Sequence, residues 1–229
     1  MTRAVIVTGA FGVLGAAVAR KFADAGAQVG LLDRAVPPEW THTFPAPHRL
    51  LAGIDLTDAS ATTAAVREFS EFAGGLDVLV NVAGGFQWRQ LSADALEVWE
   101  TMFAMNLKTA VNACSAALPY LGVRGPGRII NIGAGAAARA AAGMGAYTAS
   151  KAGVERLTES LAEELKDRQV TVNCVLPGTL DTPRNRADMP QADFSRWVAP
   201  QAVADVVAFL ASDAARAVTG AAIRVSGRG

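Results

Sequence analysis

The sequence predicts a doubly wound α/β fold, a single parallel sheet of the Rossmann type with helices on both faces. Three observations lead there. Short β-branched runs alternate with longer stretches of helical period. The strand-like runs are apolar almost throughout, as strands buried on both faces must be. A glycine-rich turn joins the first run to the first helical stretch, in the place where such folds bind phosphate groups.

Taken in order, strands are expected at residues 4–8, 28–32, 50–54, 77–81, 128–132, 170–175 and 222–225. Helices are expected at 14–25, 59–72, 96–121, 147–167 and 201–212, where apolar positions recur at spacings of three and four. The run around Pro37, Pro38, Pro45 and Pro47 reads as a surface connection, and the alanine-rich stretch 134–146 as an ordered loop. No linker and no internal repeat is visible, so residues 1–229 are expected to form one domain.

Composition excludes several classes. With 51% hydrophobic and 18% charged residues, the chain has the makings of a core and is neither disordered nor fibrous. Its formal net charge is zero and neither sign is clustered, which argues against a nucleic-acid or anionic-membrane surface and for a small-molecule substrate. Cys114 and Cys174 lie in apolar runs without metal-ligand spacing, so no metal site is expected and a reducing compartment is. The opening segment is too short for a signal peptide, and no apolar run approaches the ~20 residues that cross a bilayer. The expectation is a cytoplasmic protein.

Candidate functional residues fall mostly at the carboxyl ends of strands, the edge where open α/β sheets bind ligands. The first turn contains Gly9, Gly12, Val13, Leu14 and Gly15. Glycines there allow a tight turn and close approach to a pyrophosphate, and the following helix offers its N–H groups. Asp33 ends the second strand and can accept both hydroxyls of an adenosine ribose while repelling a 2′-phosphate, which favours NAD(H) over NADP(H). Arg34 beside it could instead meet a 2′-phosphate. Asp55 and Leu56 follow the third strand, Asn81, Ala83 and Gly84 the fourth, and Pro177, Gly178 and Thr179 the sixth; Asn106 lies within a helix. Tyr147 and Lys151 are four apart, one face of a helix, where an ammonium would draw a phenol down toward the range of a general acid–base group.

In order and spacing these residues resemble the short-chain dehydrogenase/reductase family along essentially the whole chain. The resemblance implies that Tyr147 donates or accepts the proton. Lys151 would hold the nicotinamide ribose and lower the tyrosine pKa, and Asn106 would distort its helix and hold a water linking the lysine to solvent. Gly9 through Gly15 would cradle the pyrophosphate, with Asp55 and Leu56 at the adenine. Asn81, Ala83 and Gly84 would pass the riboses, and Thr179 would lie near the carboxamide. Relatives pair through the helices corresponding to 96–121 and 147–167, implying a homodimer or homotetramer.

One position departs from the family. Thirteen residues before the tyrosine, where a catalytic serine is usual, stands Ala134. The dihydropteridine reductase branch also lacks that serine, and the chain resembles that branch at Val82 to Gly85, at Gly143 to Tyr147, and from Thr179 to Arg186 and Met189 to Trp197. That resemblance implies reduction of a planar conjugated heterocycle. The alternatives are a carbonyl reductase or alcohol dehydrogenase that tolerates Ala134, and a dinucleotide-binding sensor without catalysis.

Overall fold

A computed structural model describes every residue except Met1, Ala46, Ala93 and Gly229, so both ends of the domain expected at 1–229 lie outside the described residues. The strands are β1 (Ala4–Thr8), β2 (Gln28–Leu32), β3 (His48–Leu51), β4 (Val78–Asn81), β5 (Gly127–Ile132), β6 (Val170–Pro177) and β7 (Ala222–Val225). The helices are α1 (Val13–Asp24), α2 (Ala59–Ala73), α3 (Leu96–Phe103), α4 (Thr109–Ala117), α5 (Gly145–Leu165), α6 (Pro183–Asp188) and α7 (Pro200–Ala211).

All strand pairs are parallel, in the order β3-β2-β1-β4-β5-β6-β7. Alternation along β1 sends its side chains to two cores. Val5 and Val7 pack with Val18 and Phe22 of α1 and with Val203, Val207 and Leu210 of α7. Ala4 and Ile6 pack with Phe69 of α2, Ala117 of α4 and Leu161 of α5. Both faces are therefore covered, which is why the strand runs are apolar without alternation. The chain winds outward from β1 to β3 and then returns to β4 on the other side of β1. That reversal opens a crevice beyond the carboxyl ends of β1 and β4. Among the described residues no helix is long and apolar enough to cross a membrane.

Most element ends fall within two residues of the sequence expectation, though the strand expected at 50–54 is β3, His48–Leu51, and stops three residues early. Three differences are larger. The single helix expected at 96–121 is α3 and α4 separated by a π-helical turn, Ala104–Lys108, and regular helix ends at Ala117. The loop at 134–146 contains a 3-10 turn at Gly135–Ala138. The run after β6, where the sequence predicts no helix, forms α6 and a 3-10 turn at Phe194–Arg196. There Thr182 caps α6 by accepting from the Asn185 N–H, with Pro183 at the first helical position.

Candidate active site

The glycine turn is shaped by two close approaches. Gly9 has φ +62°, and a Cβ there would lie 2.8 Å from the Ala83 backbone. A Cβ at Gly15 would run into the Gly9 carbonyl oxygen. Thr8 fastens the turn to the one after β4, its Oγ1 accepting from the Val82 and Ala83 N–H groups at 3.1 and 3.2 Å. Gly12 is the N-cap of the twelve-residue α1 and has no side chain to satisfy the first-turn N–H groups. Those donors, with the positive end of the helix, make an anion-binding edge at the crevice. The Val13 side chain is exposed there, whereas Leu14 is buried in the core and only its backbone remains for a ligand.

Asp33 is held by its neighbours: Oδ2 accepts from the Phe11 N–H and Oδ1 from the Ala35 N–H, both at 3.0 Å. Its carboxylate is thereby fixed at the end of β2, beside the glycine turn. Arg34 is exposed. Asp55 spends Oδ1 on the N–H and hydroxyl of Thr57, each 2.8 Å away, and these bonds hold its carboxyl below the usual range. Two residues expected beside the cofactor turn their side chains inward instead. Leu56 is in the core, its carbonyl taken by Asn112 Nδ2 at 2.8 Å. The buried Asn81 donates from Nδ2 to Asn131 Oδ1 at 2.9 Å and to Cys114 Sγ at 3.2 Å, tying β4 to β5 and α4.

Helix α5 carries Tyr147 and Lys151 on one face. Lys151 is 5% exposed, and its Nζ donates to the Ile132 carbonyl at the end of β5, 2.8 Å away. Gly84 reaches the same point from β4: a Cβ there would lie 2.6 Å from Asn106 Oδ1 and 3.3 Å from Lys151 Nζ. Asn106 occupies the π turn and grips Gly85 from both sides, Oδ1 accepting from its N–H at 2.9 Å and Nδ2 donating to its carbonyl at 3.1 Å. Nδ2 also donates to Ser150 Oγ at 3.0 Å. The structure thus gathers Gly84, Asn106, Tyr147 and Lys151 from β4, the π turn and α5.

The electrostatics differ from expectation. Burial lowers Lys151 to about 8 and raises Tyr147 above the usual tyrosine range. The expected lowering of the phenol by Lys151 is absent, because the ammonium is itself desolvated and directed at the Ile132 carbonyl.

No neighbouring hydroxyl on α5 replaces a serine at Ala134. Ser150 Oγ donates to the Tyr147 carbonyl at 2.7 Å, and Thr148 Oγ1 to the Met144 carbonyl at 2.9 Å. Thr179 is exposed and follows Pro177 and Gly178, where the Gly178 N–H donates to the Val225 carbonyl at 2.9 Å. Beyond it, Arg186 clasps Asp181 through two bonds of 2.6 and 2.8 Å and lies over the Phe194 ring, which packs on Trp197 at 4.7 Å. Sequence reasoning passed over Thr8 and Thr182. The signals were a hydroxyl at a strand end before glycine, and the Thr-Pro pair that starts a helix. Among the described residues no group of three metal-ligating side chains converges.

Comparison with known proteins agrees with this geometry. The family profile described as short chain dehydrogenase matches residues 3–193. The chain is 31% identical over 231 residues to the 3-oxoacyl-(acyl-carrier-protein) reductase FabG of Vibrio cholerae, covering 97% of this chain and 95% of that protein. It is 32% identical over 247 residues to the 2-(R)-hydroxypropyl-CoM dehydrogenase of Xanthobacter autotrophicus, covering 99% and 98%. Among solved structures, a short-chain type dehydrogenase/reductase from Mycobacterium ulcerans superposes with TM-score 0.91 at 27% identity, over 99% of this chain and 89% of that one. A short chain dehydrogenase from Burkholderia cenocepacia in complex with NADP gives TM-score 0.85 at 31% identity, over 98% and 96%.

Proposed function

Because the chain belongs to the short-chain dehydrogenase/reductase family of oxidoreductases, we propose that it reduces a C=O or C=N group with a nicotinamide cofactor, Tyr147 giving the proton. The observation that carries this reading is the meeting of Gly84, Asn106 and Lys151, with Tyr147 one turn before Lys151 on the same face of α5, beyond the carboxyl ends of β4 and β5. The residues present suit a dinucleotide. The uncapped start of α1 offers N–H groups to a pyrophosphate, and Gly9 and Gly84 leave the crevice floor free of side chains. A bound nicotinamide supplies the hydride. The chain orients the substrate and holds the proton. A phenol raised by burial stays protonated at neutral pH, and a proton donor is what reduction requires. That supports the reductive direction.

NAD(H) is the preferred cofactor in this reading, on the strength of the carboxylate fixed at Asp33. Two solved relatives carry NADP or NADPH, so the choice needs direct measurement. Calorimetric titration is expected to give a lower Kd for NADH than for NADPH. In Asp33→Ala the NADH Kd should rise about tenfold or more, losing hydrogen bonds to a charged acceptor, while the NADPH Kd falls or stays level. Tighter NADPH binding by the unaltered protein would reverse the assignment.

The substrate class favoured is a planar conjugated heterocycle. Ala134 offers no second donor to a substrate oxygen, and losing one such donor costs on the order of 3 kcal/mol where a carbonyl oxyanion develops. A conjugated C=N group takes its proton at nitrogen, and one donor serves it. The second reading, a carbonyl reductase, is favoured by relatives named for keto and hydroxy substrates. Cofactor oxidation followed with quinonoid dihydropterin beside a panel of ketones separates them. Saturable turnover of ketones with none of the pterin would discard the heterocycle.

Assembly into a homodimer or homotetramer belongs to the same reading. Leu96, Trp99, Phe103 and Val111 form an exposed apolar row along α3 and α4, within the expected pairing region. Light scattering should show a dimer or larger, and Phe103→Glu should shift it toward monomer by placing a charge in the row. A monomeric unaltered protein would remove the assembly from the proposal.

A further inference from the structure

The cleft beside Tyr147 has an aromatic wall that the chemistry above does not use. Phe86 is 44% and Trp88 57% exposed, on the run that follows β4. Neither is loosely held. The Phe86 ring meets the Tyr147 ring edge-on, with centroids 5.0 Å apart and planes at 90°. Trp88 Nε1–H donates to the Ala142 carbonyl at 2.9 Å, and the Arg89 N–H donates to the Gly143 carbonyl at 2.9 Å. Gly143 has φ +76°, and any Cβ there would run into the Trp88 indole. The run after β4 is therefore clasped to the turn that leads into α5, only four residues before Tyr147.

Rings immobilised by the fold, yet open to solvent, suit stacking. Their orientation is already set, so contact with a ligand costs little further side-chain entropy. The clasped turn is Ala140, Ala141, Ala142 and Gly143, which brings no charged or hydrogen-bonding side chain to this side. Arg89, the nearest cation along the run, is paired with Asp94. What this wall can recognise is flat, apolar and uncharged.

We propose that Phe86 determines specificity, its ring forming a stacking subsite for an uncharged aryl group attached to the carbon of the C=O or C=N group that is reduced, beside the oxygen or nitrogen that Tyr147 protonates. The inference rests on the reading of Tyr147 as the proton donor. A planar ring lies against Phe86 in offset or edge-on contact, gains about 0.5–1.5 kcal/mol beyond area burial and so about 2- to 12-fold in affinity. A saturated ring of similar size is puckered and has no such quadrupole.

The test compares kcat/KM for acetophenone and cyclohexyl methyl ketone, with whichever nicotinamide cofactor the protein prefers. The ratio of the two is read, because the ketones differ in intrinsic reactivity. In Phe86→Ala the aryl-to-cyclohexyl ratio should fall about 2- to 12-fold, chiefly through a higher KM for acetophenone. Phe86→Tyr should keep the ratio, and Phe86→Leu, which preserves apolar bulk if the alanine variant folds poorly, should lose it. Where neither ketone turns over, saturation-transfer NMR with NADH present reads the same ratio as relative affinity. An equal loss for both ketones, or an unchanged ratio, overturns the subsite. Tyr147→Phe run alongside keeps the two ideas apart: unchanged turnover there overturns the proton donor, whatever happens at Phe86.

Discussion

Tyr147→Phe is expected to lower kcat by about 10²- to 10⁴-fold, the usual contribution of a positioned acid or base, with little effect on cofactor affinity or folding. The ring remains, and with it the edge-on contact to Phe86. Only the hydroxyl is removed. Ser150 and Thr148 are committed to backbone carbonyls and Ala134 has no donor, so no neighbouring hydroxyl on α5 or just past β5 takes over the proton. Stopped-flow or steady-state cofactor oxidation, together with a binding titration, checks both halves. Unaltered kcat with intact binding would place the proton transfer elsewhere.

Lys151→Met is expected to abolish turnover by about 10²-fold or more while leaving the folded chain at least as stable at neutral pH. The two effects have one cause. Lys151 is almost wholly buried, its one hydrogen bond among the described residues runs to the Ile132 carbonyl, and burial lowers it to about 8. An ammonium so placed is costly to the fold, and an apolar side chain of similar length removes that cost. Against it stands the orphaned Ile132 carbonyl, roughly 1–3 kcal/mol. The sign with pH follows from the shift. The folded value of about 8 lies below the ordinary lysine value of about 10.4, so between them the unfolded chain holds more protons. Stability from this group is then fully present above the unfolded value and is lost as pH falls through the folded one. Relative to Lys151→Met, the unaltered protein should gain stability as pH rises from about 8 toward 10, by at most roughly 1.4 kcal/mol per unit. Urea melts of both proteins at several pH values test it. A difference independent of pH would show that Lys151 is not desolvated in solution.

The main outlines were legible because they depend on local, periodic features. Apolar runs of strand length, glycine at Gly9 and Gly15, and four-residue spacing between Tyr147 and Lys151 each reflect geometry that the chain carries within a few residues. The break at Asn106 was legible only through the family resemblance, which implied a helix-distorting asparagine there, and not from the local pattern. Helical period continues through 96–121, and nothing within a turn of Asn106 favours a π segment. Its side chain instead bonds Gly85, 21 residues earlier, and Ser150, 44 residues later. Asn81 and Leu56 mark the same boundary from the other side. Asn81 does end β4, whereas β3 stops at Leu51, well short of Leu56, and in both the direction of the side chain is set by what packs against it.

The sequence by itself determined the layered α/β architecture and the candidates it offers for binding a dinucleotide and carrying a proton. These follow from periodicity, backbone freedom and functional-group chemistry, all short-range properties. Only the tertiary structure decided that Lys151 is stripped of water, that Tyr147 is raised rather than lowered, and that Phe86 and Trp88 stand open beside it. Those depend on which distant segments exclude solvent from a group. Desolvation is a property of the assembled surroundings, which no local window of residues contains.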